Sequence, residues 1–132
     1  DWERMLTFEG ETGPYLQYAH ARIRSILARS GSEASVEDPA MYTLPSNEET
    51  RLAREILAFP DAVDTAASEL APHRICKQLH RISQAFGSFY EHCPVLIEDA
   101  SLRVERISLC ALTGDILQTG LGLLGIDAPP RM

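Results

Sequence analysis

Between His73 and Tyr90 the sequence HRICKQLHRISQAFGSFY sets Ile75, Leu79, Ile82, Phe86 and Phe89 at steps of four, three, four and three. That is the period of one face of an α-helix, and such a face must be buried against others like it. The opposite side carries Arg74, Lys77 and Arg81 with His73 and His80, and no acid occurs before Glu91. No alternating period-two run of useful length appears anywhere in the chain. The reading is therefore an all-α fold, a bundle of about five main helices. At 132 residues the chain has room for one domain, residues 1–132, with a real core, and too little for two.

The other helices follow from similar signals. Pro14, after Gly13, is placed to open a first helix running to about Arg29, because its fixed φ suits the first turn. Leu16, Ala19, Ile23, Ile26 and Leu27 make its core face, and Tyr15, Tyr18, Arg22, Ser25 and Arg29 form a second stripe beside it. From Ser30 to Ser46 the sequence has no period and reads as a mobile loop. Ser46 or Asn47 caps a second helix that ends at Phe59-Pro60. A short third helix begins at Asp61, with Val63, Ala67 and Leu70 inward. Pro72 opens the fourth, and a last helix runs from about Ala100 to near Gly120. Beyond it the Gly- and Pro-rich tail GLGLLGIDAPPRM should leave the helix and lie as an irregular segment, its glycines serving as punctuation and close packing.

Net charge at pH 7 is -7, but it is unevenly spread: Glu33 to Glu69 contains nine acids and two bases, and the flanks are neutral. Overall acidity therefore does not exclude an anionic partner, since binding depends on the local field. The opening DWERMLTFEG has no basic start and no apolar run and reads as a cut inside a longer protein. Apolar stretches fall short of the roughly 20 residues needed to span a bilayer, so no membrane role is expected. Cys76, Cys93 and Cys110 are odd in number and far apart, which argues against disulfides and a thiolate zinc site. They suit a reducing cytoplasm and structural roles. His73 and His80 lack further ligands for a metal, and no acid pair or triad can be assigned to catalysis.

The segment TGPYLQYAHARIRSIL is the strongest chemical signal. Tyrosines and arginines along one helical face suit single-stranded RNA, whose splayed bases stack on rings while guanidinium groups meet phosphates. On composition alone the simpler reading is that the rings finish the core edge and the arginines solvate the surface. The same holds for Arg74, Lys77 and Arg81.

FEGETGPYLQYAHARIRSIL resembles the segment by which arginyl-tRNA synthetases, class I aminoacyl-tRNA ligases, enter their C-terminal anticodon-binding domain. FGSFYEHCPVL is similar to that family's Phe-x-x-Phe-Tyr block, SLRVERISLCALTGDILQTGLGLLGI to its last helix, and APPRM to its Pro-Glu-Arg-Met ending. The resemblance spans Phe8 to Met132. It implies an α-helical anticodon-binding domain of the Asp-Ala-Leu-Arg type, holding the anticodon stem and loop of an arginine-specific tRNA. It further implies a parent enzyme that uses ATP in an upstream catalytic domain of the same chain. The family's nucleotide-binding signatures have no counterpart here, so this portion should bind without catalysing and needs no cofactor of its own; a monomer is expected.

By the same resemblance Tyr15, Tyr18 and Tyr90 become candidates for meeting unstacked bases. Arg22 and Arg24 are candidates for phosphate, and Met132 and Arg131 for contacts near the same loop. From its basic face rather than from the resemblance, the fourth helix adds Arg74, Lys77 and Arg81 as RNA-binding candidates. His20, between the two stripes, should orient a neighbour rather than touch RNA. Pro130 stands where the family usually has Glu, which removes any contact made by that carboxylate and puts the tail's path in doubt. A stand-alone RNA-binding adaptor with the same fold, or a helical protein-interaction module, remains an alternative.

Overall fold

The computed structural model describes the backbone of residues 2–31 and 42–132, and within them the side chains from residue 12 onward. Among the described residues five helices follow in order: α1 (Trp2–Ser30), α2 (Asn47–Leu57), α3 (Phe59–Glu69), α4 (His73–His92) and α5 (Ala100–Leu123). No strand occurs among the described residues. α4 lies at the centre, with α1 on one flank, α2 and α3 on the other, and α5 behind it.

The apolar periods become the core. Leu16 and Ile23 of α1, Leu79, Ile82 and Phe89 of α4, and Leu117 of α5 are fully enclosed. Each such side chain contributes about 1.5–3 kcal/mol through removal from water. Ser46 caps α2, its Oγ accepting from the Glu49 amide at 3.1 Å, and Asp99 caps α5 by accepting from Leu102 N at 3.1 Å. α1 and α5 run antiparallel: Arg24 Nη2 donates to Asp115 Oδ1 at 2.9 Å, and eleven residues earlier in the chain, nearer the start of α1, Gly13 lies beneath Ile126.

Three sequence expectations change. α1 begins at Trp2, and Pro14 sits inside it rather than opening it. An interior proline removes one helical hydrogen bond and costs ~3 kcal/mol, but tertiary packing overrides propensity, and Gly13 is buried where the tail crosses. On α3, Phe59 and Ala66 are buried, whereas Ala67 is exposed and Leu70 is 90% exposed. Leu70 is the C-cap, at φ 51°, already past the helical period that would have turned it inward. α5 continues to Leu123 before Gly125, at φ 73°, breaks the path.

Residues 32–41 of the expected loop lie outside the described residues. Of the described rest, Ser30 still belongs to α1, and 42–46 is docked: Tyr42 and Leu44 pack on the core, and Glu105 accepts from Thr43 Oγ1 and Leu44 N, both at 3.0 Å. Leu44 takes a left-handed φ of 46°, a strained conformation for a non-glycine residue that this carboxylate holds in place.

Candidate nucleic-acid interface

The second stripe of α1 remains open. Tyr15, Tyr18, Arg22, Ser25 and Arg29 all face solvent, since the core turns of the same helix point the other way. α4 supplies the neighbouring wall. Tyr15 leans on His80, ring centroids 5.2 Å apart and tilted by 46°. Further along, the Arg22 guanidinium sits 5.1 Å from the Tyr90 ring centre, and Tyr90 stacks on Phe86 at 6.0 Å. A guanidinium over a ring is attracted by the ring's negative face, which pre-orients Arg22 beside the aromatic group.

The tail after α5 supplies the other wall. Arg131, Met132 and Pro130 come to lie beside Tyr18, Arg22, Ser25 and Arg29, forming an open groove of about 390 Å³. On the other side of Arg29 a second hollow, of about 350 Å³, is lined by Ile26, Ser30, Tyr90 and Pro94 to Leu96. Arg22, Arg29 and Arg131 face the first groove with no Asp or Glu side chain among the lining residues. Its local field is therefore positive although the chain is acidic. Rings, guanidinium planes and an apolar second hollow match what single-stranded nucleic acid offers: flat bases and a charged backbone.

Of the residues proposed from sequence, Tyr18, Arg22, Arg131 and Met132 meet at this groove, Tyr90 lies next to it, and Tyr15 lies on the same stripe against His80. Exposure ranks the rings. Tyr18 is 61% exposed and Tyr15 44%, while Tyr90 is half-buried.

The remaining four lie elsewhere. Arg24 turns toward α5, bonded to Asp115 and to Gln118 Oε1 at 3.1 Å, with its Nε donating to His20 Nε2 at 3.2 Å. Arg74, Lys77 and Arg81 line a different hollow, about 290 Å³, bordered by Asp61 and Thr65 of α3. There Arg74 pairs with Glu69 at 2.6 Å, and Arg81 holds both oxygens of Glu55 at 3.1 Å. Arg81's hydrogen bond, aided by Gln78, lowers the Glu55 pKa despite partial burial. Much of this second basic surface is thus already neutralised.

Sequence reasoning left Arg29 out of the site although it lies seven residues beyond Arg22 on the same stripe, a spacing that would have found it. Gln17, which holds the tail, had no such signal, and His20 was legible as an orienting residue but its tail partner was not, because nothing local announces a partner more than a hundred residues away.

Among known proteins, the chain matches the family described as "DALR anticodon binding domain" over residues 16–132. All of it aligns with the arginine–tRNA ligase of Frankia casuarinae at 48% identity, covering 22% of that protein, and with that of Haemophilus influenzae at 43%, covering 23%. Among solved structures it is similar to Thermus thermophilus arginyl-tRNA synthetase, with TM-score 0.80 and 39% identity over 95% of this chain and 22% of that one. Plasmodium falciparum arginyl-tRNA synthetase gives TM-score 0.82 at 28% identity, over 100% of this chain and 23% of the other. The chain thus spans less than a quarter of the length of these relatives.

Proposed function

The chain belongs to the family of DALR anticodon-binding domains, and from that premise we propose that residues 1–132 are the single anticodon-binding domain of an arginine–tRNA ligase. Its ligand is the anticodon stem and loop of an arginine tRNA. The observation that carries the reading is the convergence of the open α1 stripe and the tail on one positive groove, with Tyr90 beside it under Arg22. Ligation of arginine, with ATP, belongs to a catalytic region of the parent. The domain itself uses no cofactor, acts as a monomer and works in the cytoplasm. No helix among the described residues is long and apolar enough to cross a membrane.

In this reading Tyr18, the most open ring, is the first platform for an unstacked base, with Tyr15 one turn away. Arg22 covers Tyr90 in the free domain, so a base reaching that ring meets the guanidinium plane first, or displaces it toward phosphate. Arg29 and Arg131 neutralise phosphates along the groove.

Stacking and phosphate contacts separate experimentally. Tyr18→Leu keeps apolar bulk but removes the flat ring and should cost about 1–3 kcal/mol of binding to the arginine anticodon loop. Arg29→Gln should weaken every RNA alike and flatten the salt dependence. Fluorescence anisotropy with arginine tRNA and with a tRNA of altered anticodon, at two salt concentrations, distinguishes the two effects. Unchanged binding by Tyr15→Leu, Tyr18→Leu and Tyr90→Leu, all folded, would return the rings to packing roles. The isolated chain should show no arginine-dependent ATP–pyrophosphate exchange; measurable exchange would contradict the division of labour.

A further inference from the structure

Beyond Gly125 the chain reverses and runs back along α1, touching it at three successive levels. Ile126 packs over Gly13, Gln17 Nε2 donates to the Asp127 carbonyl at 2.8 Å, and His20 Nδ1 lies 3.3 Å from the Pro129 carbonyl oxygen. The match is geometric. Seven helical residues from 13 to 20 advance ~10.5 Å, and three extended residues from 126 to 129 advance ~10 Å. Keeping pace with the helix, the tail delivers Arg131 and Met132 to the groove beside Tyr18 and Arg22.

The last hold before the groove is His20. Pro129 and Pro130 have no backbone N–H, so this stretch can be gripped only through its carbonyls, by a donor. His20 is 2% exposed, and its Nε2 accepts from Arg24 Nε. A neutral ring accepting at Nε2 carries its proton on Nδ1, the nitrogen facing Pro129, which then donates to the carbonyl. Arg24 is in turn fixed by Asp115 and Gln118. Burial, with help from Arg24, lowers the His20 pKa and keeps the ring in this neutral form.

We propose that His20 is a positioning residue for RNA recognition: oriented by Arg24, it fixes the Pro129 carbonyl so that Arg131 and Met132 stand as one wall of the groove. His20 itself does not touch RNA. The inference rests on the groove being the RNA face, and it gives Arg24 a role through the tail rather than at phosphate.

The test pairs a readout of the tail with a readout of binding. With methyl-labelled methionine, the Met132 signal of His20→Leu should sharpen toward that of a free tail. Binding to the arginine anticodon stem–loop should weaken about tenfold, the loss of roughly one contact. Arg131→Ala/Met132→Ala should weaken binding comparably, and adding His20→Leu to it should cost nothing more, because both act through the tail. His20→Gln keeps one donor and one acceptor and should preserve an ordered tail and near-parental binding, which covers the case of a leucine variant that fails to fold.

The inference is overturned if Met132 in His20→Leu behaves as in the parent, if the two losses multiply, or if His20→Gln binds poorly with its tail in place. It is also overturned if the tail is freed and binding stays parental. In that event Tyr18→Leu decides separately on the RNA face: a loss there leaves the face intact, and no loss removes both.

Discussion

Arg106 and Glu49 meet inside the molecule, Nε to Oε1 at 2.7 Å, while Arg106 Nη1 donates to the Pro94 carbonyl at 2.6 Å. One side chain thereby joins α5, the start of α2 and the bend after α4. Glu49 is fully buried, so Arg106→Met would leave a carboxylate without its countercharge and should cost about 3–5 kcal/mol in urea denaturation. A loss below about 1 kcal/mol would contradict the pairing. Titration supplies a second prediction at this scale. The folded state lowers the pKa of His20, chiefly by burial, and of Glu55, chiefly through the Arg81 hydrogen bond. For a lowered pKa, the contribution is present above the unfolded value and lost as pH falls, from 6.5 downward for His20 and from 4.5 for Glu55. His92, exposed and raised by its bond to the Ser88 carbonyl, has the opposite sign. Comparing the parent with His20→Gln isolates the first effect. The parent should lose more stability than the variant between about pH 7 and about pH 5, and parallel melting profiles would argue against it. The exposed stripe could be read from spacing alone, because helical geometry dictates it. The destinations of Arg24, Arg74, Arg81 and Arg106 could not, since ion pairing is decided by which helices become neighbours.

Helix identity was legible wherever an apolar period was long, as in α4, and helix boundaries were less so. Pro14 reads locally as a start and Leu70 as a continuation, and both readings fail because packing and the end of a period are not local properties. The contact of α4 with α5 offers a sharp test of packing. A β-carbon on Gly120 would lie 2.5 Å from a Leu79 methyl in the closed core, whereas one on Gly122 would meet nothing within 4 Å. Gly120→Ala should incur overpacking of about 1–3 kcal/mol, outweighing the gain in helix propensity. Gly122→Ala, in the exposed last turn, should instead stabilise by up to about 1 kcal/mol. Thermal melts of the two variants should therefore move in opposite directions, and a shared direction would mean that α4 and α5 are less tightly apposed. Burial pushes the Cys110 thiol up to about 12, so this cysteine should resist alkylation in the native protein and react on unfolding.

Across the whole molecule, the number and order of the helices and the identity of one basic aromatic face were present in the sequence. Its second wall was reached only through the family resemblance, which put Arg131 and Met132 near the same loop; no spacing indicates it, since the tail acquires its place only when α5 lies antiparallel to α1 and Gly125 sends the chain back. The bundle thus gathers residues from α1, α4 and the tail at one end, while the basic residues of α4's other flank are largely matched by the acids of α2 and α3. That asymmetry makes the central claim a claim about place. The most direct measurement is a titration of the isotope-labelled chain with the arginine anticodon stem–loop, following each backbone amide by NMR. Shifts should concentrate on residues 15–29, on the neighbourhood of Tyr90 and on residues 130–132, with little change around Arg74 and Arg81. Shifts centred on the α2, α3 and α4 hollow, or no shifts at concentrations that saturate binding, would contradict it.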